Sequence, residues 1–232
     1  MNNLIFFLLI SPTLAAPGKG AENLKGYDLP DAQISCIRIQ GYYNKIKTFQ
    51  AAFKQIFTKR FHGAQKPESG MVYVQKPGKM AWEYLKPEKK FFIVDGKKVW
   101  IYEPSQKQAM WRHIKDSALP APVKFLWGKG DLVGTFHVKL ITNSKHGGKG
   151  KAVLKLVPKS ASPHYRSVLF VFTPQGAVLE SIVYDHGGNK NHIIFSGIKL
   201  NTVISGKRFV FTPPKGIQVL YAGDKAAPAK KK

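Results

Sequence analysis

Between residues 71 and 113 the chain keeps meeting turn signals. The run 71–74 stops at Lys76-Pro77-Gly78, 80–84 at Lys86-Pro87, 91–94 at Asp95-Gly96 and 99–102 at Glu103-Pro104. Proline removes a backbone donor, and Asp-Gly between two apolar runs favours a tight hairpin. Helices of ordinary length do not fit between such breaks, so this stretch reads as a meander of short antiparallel strands, with a further strand over 108–113. Strand-like runs return at 135–141, 152–157, 167–173, 177–184, 192–200 and 208–212. About ten or eleven strands form a sheet large enough to curl or close. A curled sheet has a concave face that side chains, a helix or a ligand must fill.

Upstream, Asp31 is placed to cap a helix whose apolar residues Ile34, Ile37, Ile39, Tyr42, Tyr43 and Ile46 follow at mostly helical spacing, ending near Lys47. The period then changes: Phe49, Ala51, Phe53, Gln55 and Phe57 alternate with their neighbours as in a strand, although a continuing helix stays open. Residues 116–130 break the β rhythm. Pro120 and Pro122 lead into Val123, Phe125, Leu126 and Trp127, a loop with a short, very apolar helix. The pentapeptide FVFTP occurs at 170–174 and again at 209–213, which reads as two strands leaving through similar turns.

The ends carry different signals. Residues 2–14 read NNLIFFLLISPTL with no charge before Lys19, and their apolar run is too short to span a bilayer and about the length of a secretory h-region. The expected division is a signal peptide at 1–16, a flexible leader at 17–30, one domain at 31–221 and a disordered basic tail at 222–232. An exported chain of this kind is expected in the periplasm. Cys36 is the only cysteine, which excludes an internal disulfide and reads as a small buried hydrophobe.

The 37 basic and 13 acidic residues give a net charge of +24, spread along the chain. Such a charge favours polyanions. Behind a signal peptide, transient contact with an anionic membrane surface is expected in preference to nucleic acid. None of the seven histidines forms a tight metal-binding pair, and His186 and His192 read as flanks of a hairpin turn. There is no nucleophile elbow, P-loop or pair of carboxylates at catalytic spacing. No catalytic residue, metal or cofactor is therefore expected, and the prior moves from enzyme to binding protein.

The run KPGKMAWEYLKPEKKFFIVDGKKVWIYEP at 76–104 resembles the LolA family of lipoprotein carriers. YYNKIKTFQAAFKQ at 42–55 is similar to that family's passage from helix to first strand, and FTPPKGIQV at 211–219 to its C-terminal signature. The resemblance implies an incomplete, unclosed antiparallel β-barrel of about eleven strands with helices forming a lid over a hydrophobic concavity. It also implies a monomeric periplasmic shuttle that takes acylated lipoproteins from an inner-membrane ABC release complex to an outer-membrane acceptor. In the family an arginine before the first proline helps hold the lid; here that latch position is Lys76, which lacks the planar fork. Met80 replaces a common aromatic.

A carrier needs an apolar wall. Leaving a chain of about sixteen carbons in water costs on the order of 12 kcal/mol, at about 0.8 kcal/mol per CH₂. Met80, Trp82, Tyr84, Phe91, Ile93, Trp100 and Tyr102 are the candidates for acyl-chain contact, with ordinary core as the alternative for each. Val123, Phe125, Leu126 and Trp127 are the candidate lid, with a fixed plug as the alternative. Rival functions are a lipid-binding sensor or envelope-maintenance protein on the same scaffold, a nucleic-acid binder and a hydrolase.

Overall fold

The computed structural model describes residues 29–114, 131–142 and 144–222. The proposed signal peptide, most of the leader, the lid residues Val123, Phe125, Leu126 and Trp127, and the tail beyond residue 222 lie outside the described residues.

The first element is helix α1 (Leu29–Asn44). It starts two residues earlier than the sequence suggested, so Asp31 lies in its first turn, where a carboxylate favours the positive end of the helix dipole. Ala32, Cys36, Ile39 and Tyr43 are buried at spacings of four and three, with Ile46 continuing the line just past the helix. The chain then turns into β1 (Thr48–Lys59), which settles the helix-or-strand alternative in favour of a strand.

The other strands are β2 (Gly63–Ala64), β3 (Glu68–Gln75), β4 (Lys79–Lys86), β5 (Lys90–Val94), β6 (Lys98–Glu103), β7 (Gln108–His113), β8 (Phe136–Leu140), β9 (Ala152–Pro158), β10 (Ser167–Phe172), β11 (Val178–Tyr184), β12 (Lys190–Leu200) and β13 (Gln218–Tyr221). A one-turn helix α2 (Leu132–Thr135) precedes β8, and Asp131 caps it by accepting from the Gly134 N–H. The strands form one sheet in the order β13-β7-β6-β5-β4-β3-β1-β12-β11-β10-β9-β8, with β2 paired only to β1. The two ends of the sheet do not meet, so the barrel is unclosed. All pairings are antiparallel except β13 with β7, which is parallel.

The expected hairpin at Asp95-Gly96 is present: the Asp95 carboxylate accepts from the Lys97 and Lys98 amides, and Gly96 has φ +97°. Curvature comes partly from irregular pairing. The register shifts between Ser69 and Gly70 against β4 and between Gln50 and Ala52 against β12. At Gly70 the neighbouring backbone approaches so closely that a Cβ would lie 1.9 Å from the Glu83 carbonyl oxygen, so only glycine fits without moving β4. The sheet wraps around α1. One cluster of buried residues contains Ile39 and Tyr43 of the helix region, Val72, Trp82 and Val99 from one half of the sheet, and Val138, Leu156 and Phe170 from the other.

The second FVFTP copy corrects the sequence reading. Phe170 to Phe172 end strand β10, but Gly206–Phe209 is a 3-10 turn, and no strand covers 208–212. After β12, Asn201 adopts φ +54° and the chain leaves the sheet. It crosses the opposite face as a strap that buries Ile204 and Phe209 before β13 joins the edge. The same pentapeptide is a strand where sheet neighbours supply its hydrogen bonds and a strap where they do not.

Candidate functional site

Register decides which of the sequence-predicted wall residues share a surface. Residues directly opposite in adjacent strands project from the same face. Met80 of β4 pairs with Val94 of β5, and Trp82 with Phe92. Phe91 pairs with Tyr102 of β6, and Ile93 with Trp100. Alternation along β5 therefore puts Phe91, Ile93, Trp100 and Tyr102 on the face opposite Met80, Trp82 and Tyr84. The first four belong with the strap: Trp100 lies 5.2 Å and Tyr102 5.1 Å, ring to ring, from Phe211. Their expected place in the same wall as Met80 is corrected. Both faces of β5 and β6 are apolar because both are covered, one by the helix and one by the strap.

The helix-covered face carries an aromatic set that the sequence list missed. Phe53 of β1 stands 4.9 Å, centroid to centroid, from both Trp82 and Tyr84, edge on. Phe195 of β12 lies 6.2 Å from Trp82 and 5.9 Å from Phe49. The Trp82 indole N–H donates to the Met80 sulfur at 3.0 Å, which satisfies the one polar atom of the ring. Phe49 and Phe53 were visible as one face of an alternating strand. Phe195 becomes relevant only because β12 pairs with β1.

One end of this face is polar. Gln55, 1 % exposed, accepts from the Tyr84 hydroxyl at 2.9 Å and donates to Asn191 at 2.8 Å. Lys90 makes a 2.5 Å ion pair with Glu68, and its ammonium lies 4.3 Å from the Tyr84 ring centroid. Burial pushes the Tyr84 phenol well above the ordinary tyrosine range, and the Glu68 charge adds to that shift. Tyr84 is thus held as a neutral donor. Its upper surface continues the apolar wall, and its hydroxyl starts a buried network. Lys90 was invisible as a buried residue in the sequence, since a lysine beside a turn is usually solvated.

The helix covers this wall and is held by separate polar contacts. The Lys76 ammonium donates to the Tyr43 carbonyl in the last turn of α1, where carbonyls lack helical partners. Partial burial lowers the Lys76 pKa from the lysine norm. The Tyr43 hydroxyl accepts from the Val178 amide at 3.2 Å, and Arg38 donates to the Pro174 carbonyl at 3.3 Å. Leu132 N–H donates to the Gln40 side chain at 2.9 Å. Cys36 sits fully buried on the inward side of the helix, its thiol pushed up to about 11 chiefly by burial, which fits the reading as a small hydrophobe. Where the helix ends, Arg38, Tyr42, Lys45, Ile46 and Leu200 line an open cleft of ≈ 440 Å³ with cations at its rim.

Outside this region, His192 lies on strand β12, within the expected strand run and beside the turn; it bonds Glu180 at 2.8 Å. His186 contacts the Ser162 carbonyl at 2.7 Å. Among the described residues, no helix is long and apolar enough to cross a membrane.

The family model described as "Outer membrane lipoprotein carrier protein LolA" matches residues 44–212. The chain is similar to an outer-membrane lipoprotein carrier protein of Chromobacterium violaceum, 30% identical over 83% of this chain and 90% of the relative. It is 25% identical to that of Nitrosospira multiformis over 93% of this chain and 94% of the relative. A crystal structure of a LolA superfamily protein from Nitrosomonas europaea aligns with a TM-score of 0.42 at 15% identity, covering 78% of this chain and 97% of that one. The family match spans most of the chain, from the end of the helix through the sheet to the strap, so the chain belongs to the LolA family.

Proposed function

We propose that this protein is an exported, non-enzymatic carrier that shelters the acyl chains of lipoproteins between α1 and the helix-covered face of the sheet. It ferries them through the periplasm from an inner-membrane ABC release complex to an outer-membrane acceptor, in keeping with the family. The observation that carries the reading is the wall itself. Phe53, Met80, Trp82, Tyr84 and Phe195 make one apolar surface, and among the described residues helix α1 shares its buried cluster and is tied at its C-terminal end by individual polar bonds such as Lys76 to Tyr43.

The helix occupies the space an acyl chain would take. Ala32, Cys36, Ile39, Tyr43 and Ile46 already keep the wall dry in this closed form. An entering chain replaces one apolar covering with another, so the exchange needs only the difference in burial, while the chain itself gains about 0.8 kcal/mol per CH₂ removed from water. Such a near-balanced swap suits a carrier that must also release its cargo. The net charge of +24 favours approach to anionic membrane surfaces at either end of the route.

The test is displacement of an apolar fluorescent probe by a synthetic triacylated lipopeptide, in wild type, Trp82→Ala and Trp100→Ala. The two substitutions remove the same side chain from opposite faces. Trp82→Ala is expected to weaken lipopeptide binding about tenfold, a loss of about 1.4 kcal/mol. Trp100→Ala is expected to lower the melting temperature and leave affinity within about twofold, because loss of a buried aromatic destabilises the fold without touching the wall. Failure of the lipopeptide to displace the probe from wild type, or an equal loss of affinity in both variants, overturns the assignment.

A further inference from the structure

On the outward face of the sheet, across β12 from the acyl wall, three metal-ligating side chains converge. Glu180 of β11 is opposite Ile194 of β12, which makes Glu180 and His192 diagonal neighbours on one face. His146 comes from the β8–β9 connection. That connection is shaped by Gly147, Gly148 and Gly150, all at positive φ, and by a bridge between Gly148 and Lys151. The Ser144 hydroxyl accepts the His146 amide at 3.0 Å, and the imidazole is brought to 5.4 Å, edge on, from that of His192. One donor atom from each of His146, Glu180 and His192 lies within 4.8 Å of the others.

The arrangement leaves one feature unexplained by packing. Nε2 of His146 is buried and has no hydrogen-bond partner. A buried ring nitrogen without a partner is costly, and such atoms in native structures call for an ion, a water or a catalytic role. Here it borders a carboxylate and a second imidazole.

We propose that His146, Glu180 and His192 form a zinc site with one open coordination position, which ties the β8–β9 loop to the outward face of β11 and β12. Two imidazoles and one carboxylate are a borderline-to-soft donor set that suits Zn²⁺; Mg²⁺ and Ca²⁺ select all-oxygen shells. Zinc–ligand bonds of about 2.0–2.2 Å in a tetrahedron put donor atoms about 3.4 Å apart. The three donor atoms lie within 4.8 Å of one another, with His192 and Glu180 at 2.8 Å, a spread that brackets that spacing. Lys190 and Lys145 carry their charges close to the His146 ring. The same lysines repel a cation, so the Glu180 charge is essential to the site. Zinc here joins the connection at the β8 edge to β11 and β12, adding to the packing of Ile141 against Val153, Val171 and Ile182.

Full-length mature protein without an affinity tag, stripped with chelator, is titrated with Zn²⁺ by calorimetry and melted with and without the ion. Wild type is expected to bind one equivalent and to melt higher with zinc, with no response to Mg²⁺. His146→Ala is expected to melt within a few degrees of wild type in chelator, since its buried Nε2 has no hydrogen-bond partner among the described residues, yet to lose the zinc-induced rise. Glu180→Gln is expected to weaken zinc binding at least about tenfold. Absence of a one-equivalent binding event in wild type overturns the proposal. So does a His146→Ala variant that keeps wild-type zinc affinity, because the ion would then sit elsewhere on the chain.

Discussion

Replacing Lys76 with leucine removes the ammonium that donates to the Tyr43 carbonyl and leaves the backbone bond from Lys76 N–H to the Lys47 carbonyl, at 2.9 Å, in place. The perturbation is therefore confined to the tie between the β3–β4 turn and the end of α1. A carbonyl in a partly buried helix terminus that loses a charged donor costs about 1–3 kcal/mol. If α1 opens as a unit, that penalty appears in the closed form and shifts its opening equilibrium by about 5–150-fold. The assay is amide hydrogen exchange, comparing residues 36–46 with the central strands β1 and β4. Lys76→Leu should lower protection in α1 by that factor, with little change in the strands, and speed lipopeptide loading. Lys76→Arg keeps a charged donor and adds a planar fork able to reach a second carbonyl, so it should restore protection and slow exchange. Protection of α1 within about twofold of wild type in Lys76→Leu would show that apolar burial alone holds the helix, and the latch assignment would fall.

Cys36 offers a chemical report of the same opening. Its thiol titrates at about 11 in the fold against 9.0 ordinarily, so alkylation at pH 8 should be slow in wild type and faster in Lys76→Leu. Because the folded protein holds the Cys36 proton more tightly than the unfolded chain, its contribution makes stability fall as pH rises from 9.0 towards about 11, and Cys36→Ala should flatten that slope in denaturant titrations. Phe209→Ala empties a site that is 1 % exposed beneath the strap and should cost about 3–5 kcal/mol in urea unfolding, while probe binding to the opposite face persists in the folded fraction.

Most of the strands, the helix and the Asp95-Gly96 hairpin were legible in the sequence because they depend on neighbours along the chain. Lys76-Pro77-Gly78 and Asp95-Gly96 end strands whatever lies beyond them, and the switch from helical to two-residue spacing near Lys47 marks where α1 gives way to β1. The family was legible for the same reason: its motifs are contiguous runs around those turns. The Lys76 contact was partly legible, since the turn at Lys76 could be read while its acceptor, the Tyr43 carbonyl, belongs to the backbone and leaves no mark in side-chain pattern.

Faces were another matter. Phe91, Phe92, Ile93 and Val94 are all apolar, as are Val99, Trp100, Ile101 and Tyr102, so alternation within either strand cannot say which members look towards the helix. Only the register of β5 on β4 and β6 separates Phe92 and Val94 from Phe91 and Ile93. The second apolar face exists because a strap more than 100 residues later in the chain returns to cover it with Ile204, Phe209 and Phe211. His146, Glu180 and His192 come together for the same physical reason. The sequence by itself determined the local alternation and the turns; long-range strand pairing alone decided what shares a surface, because a side chain's partners are set by the neighbouring strand and not by its own.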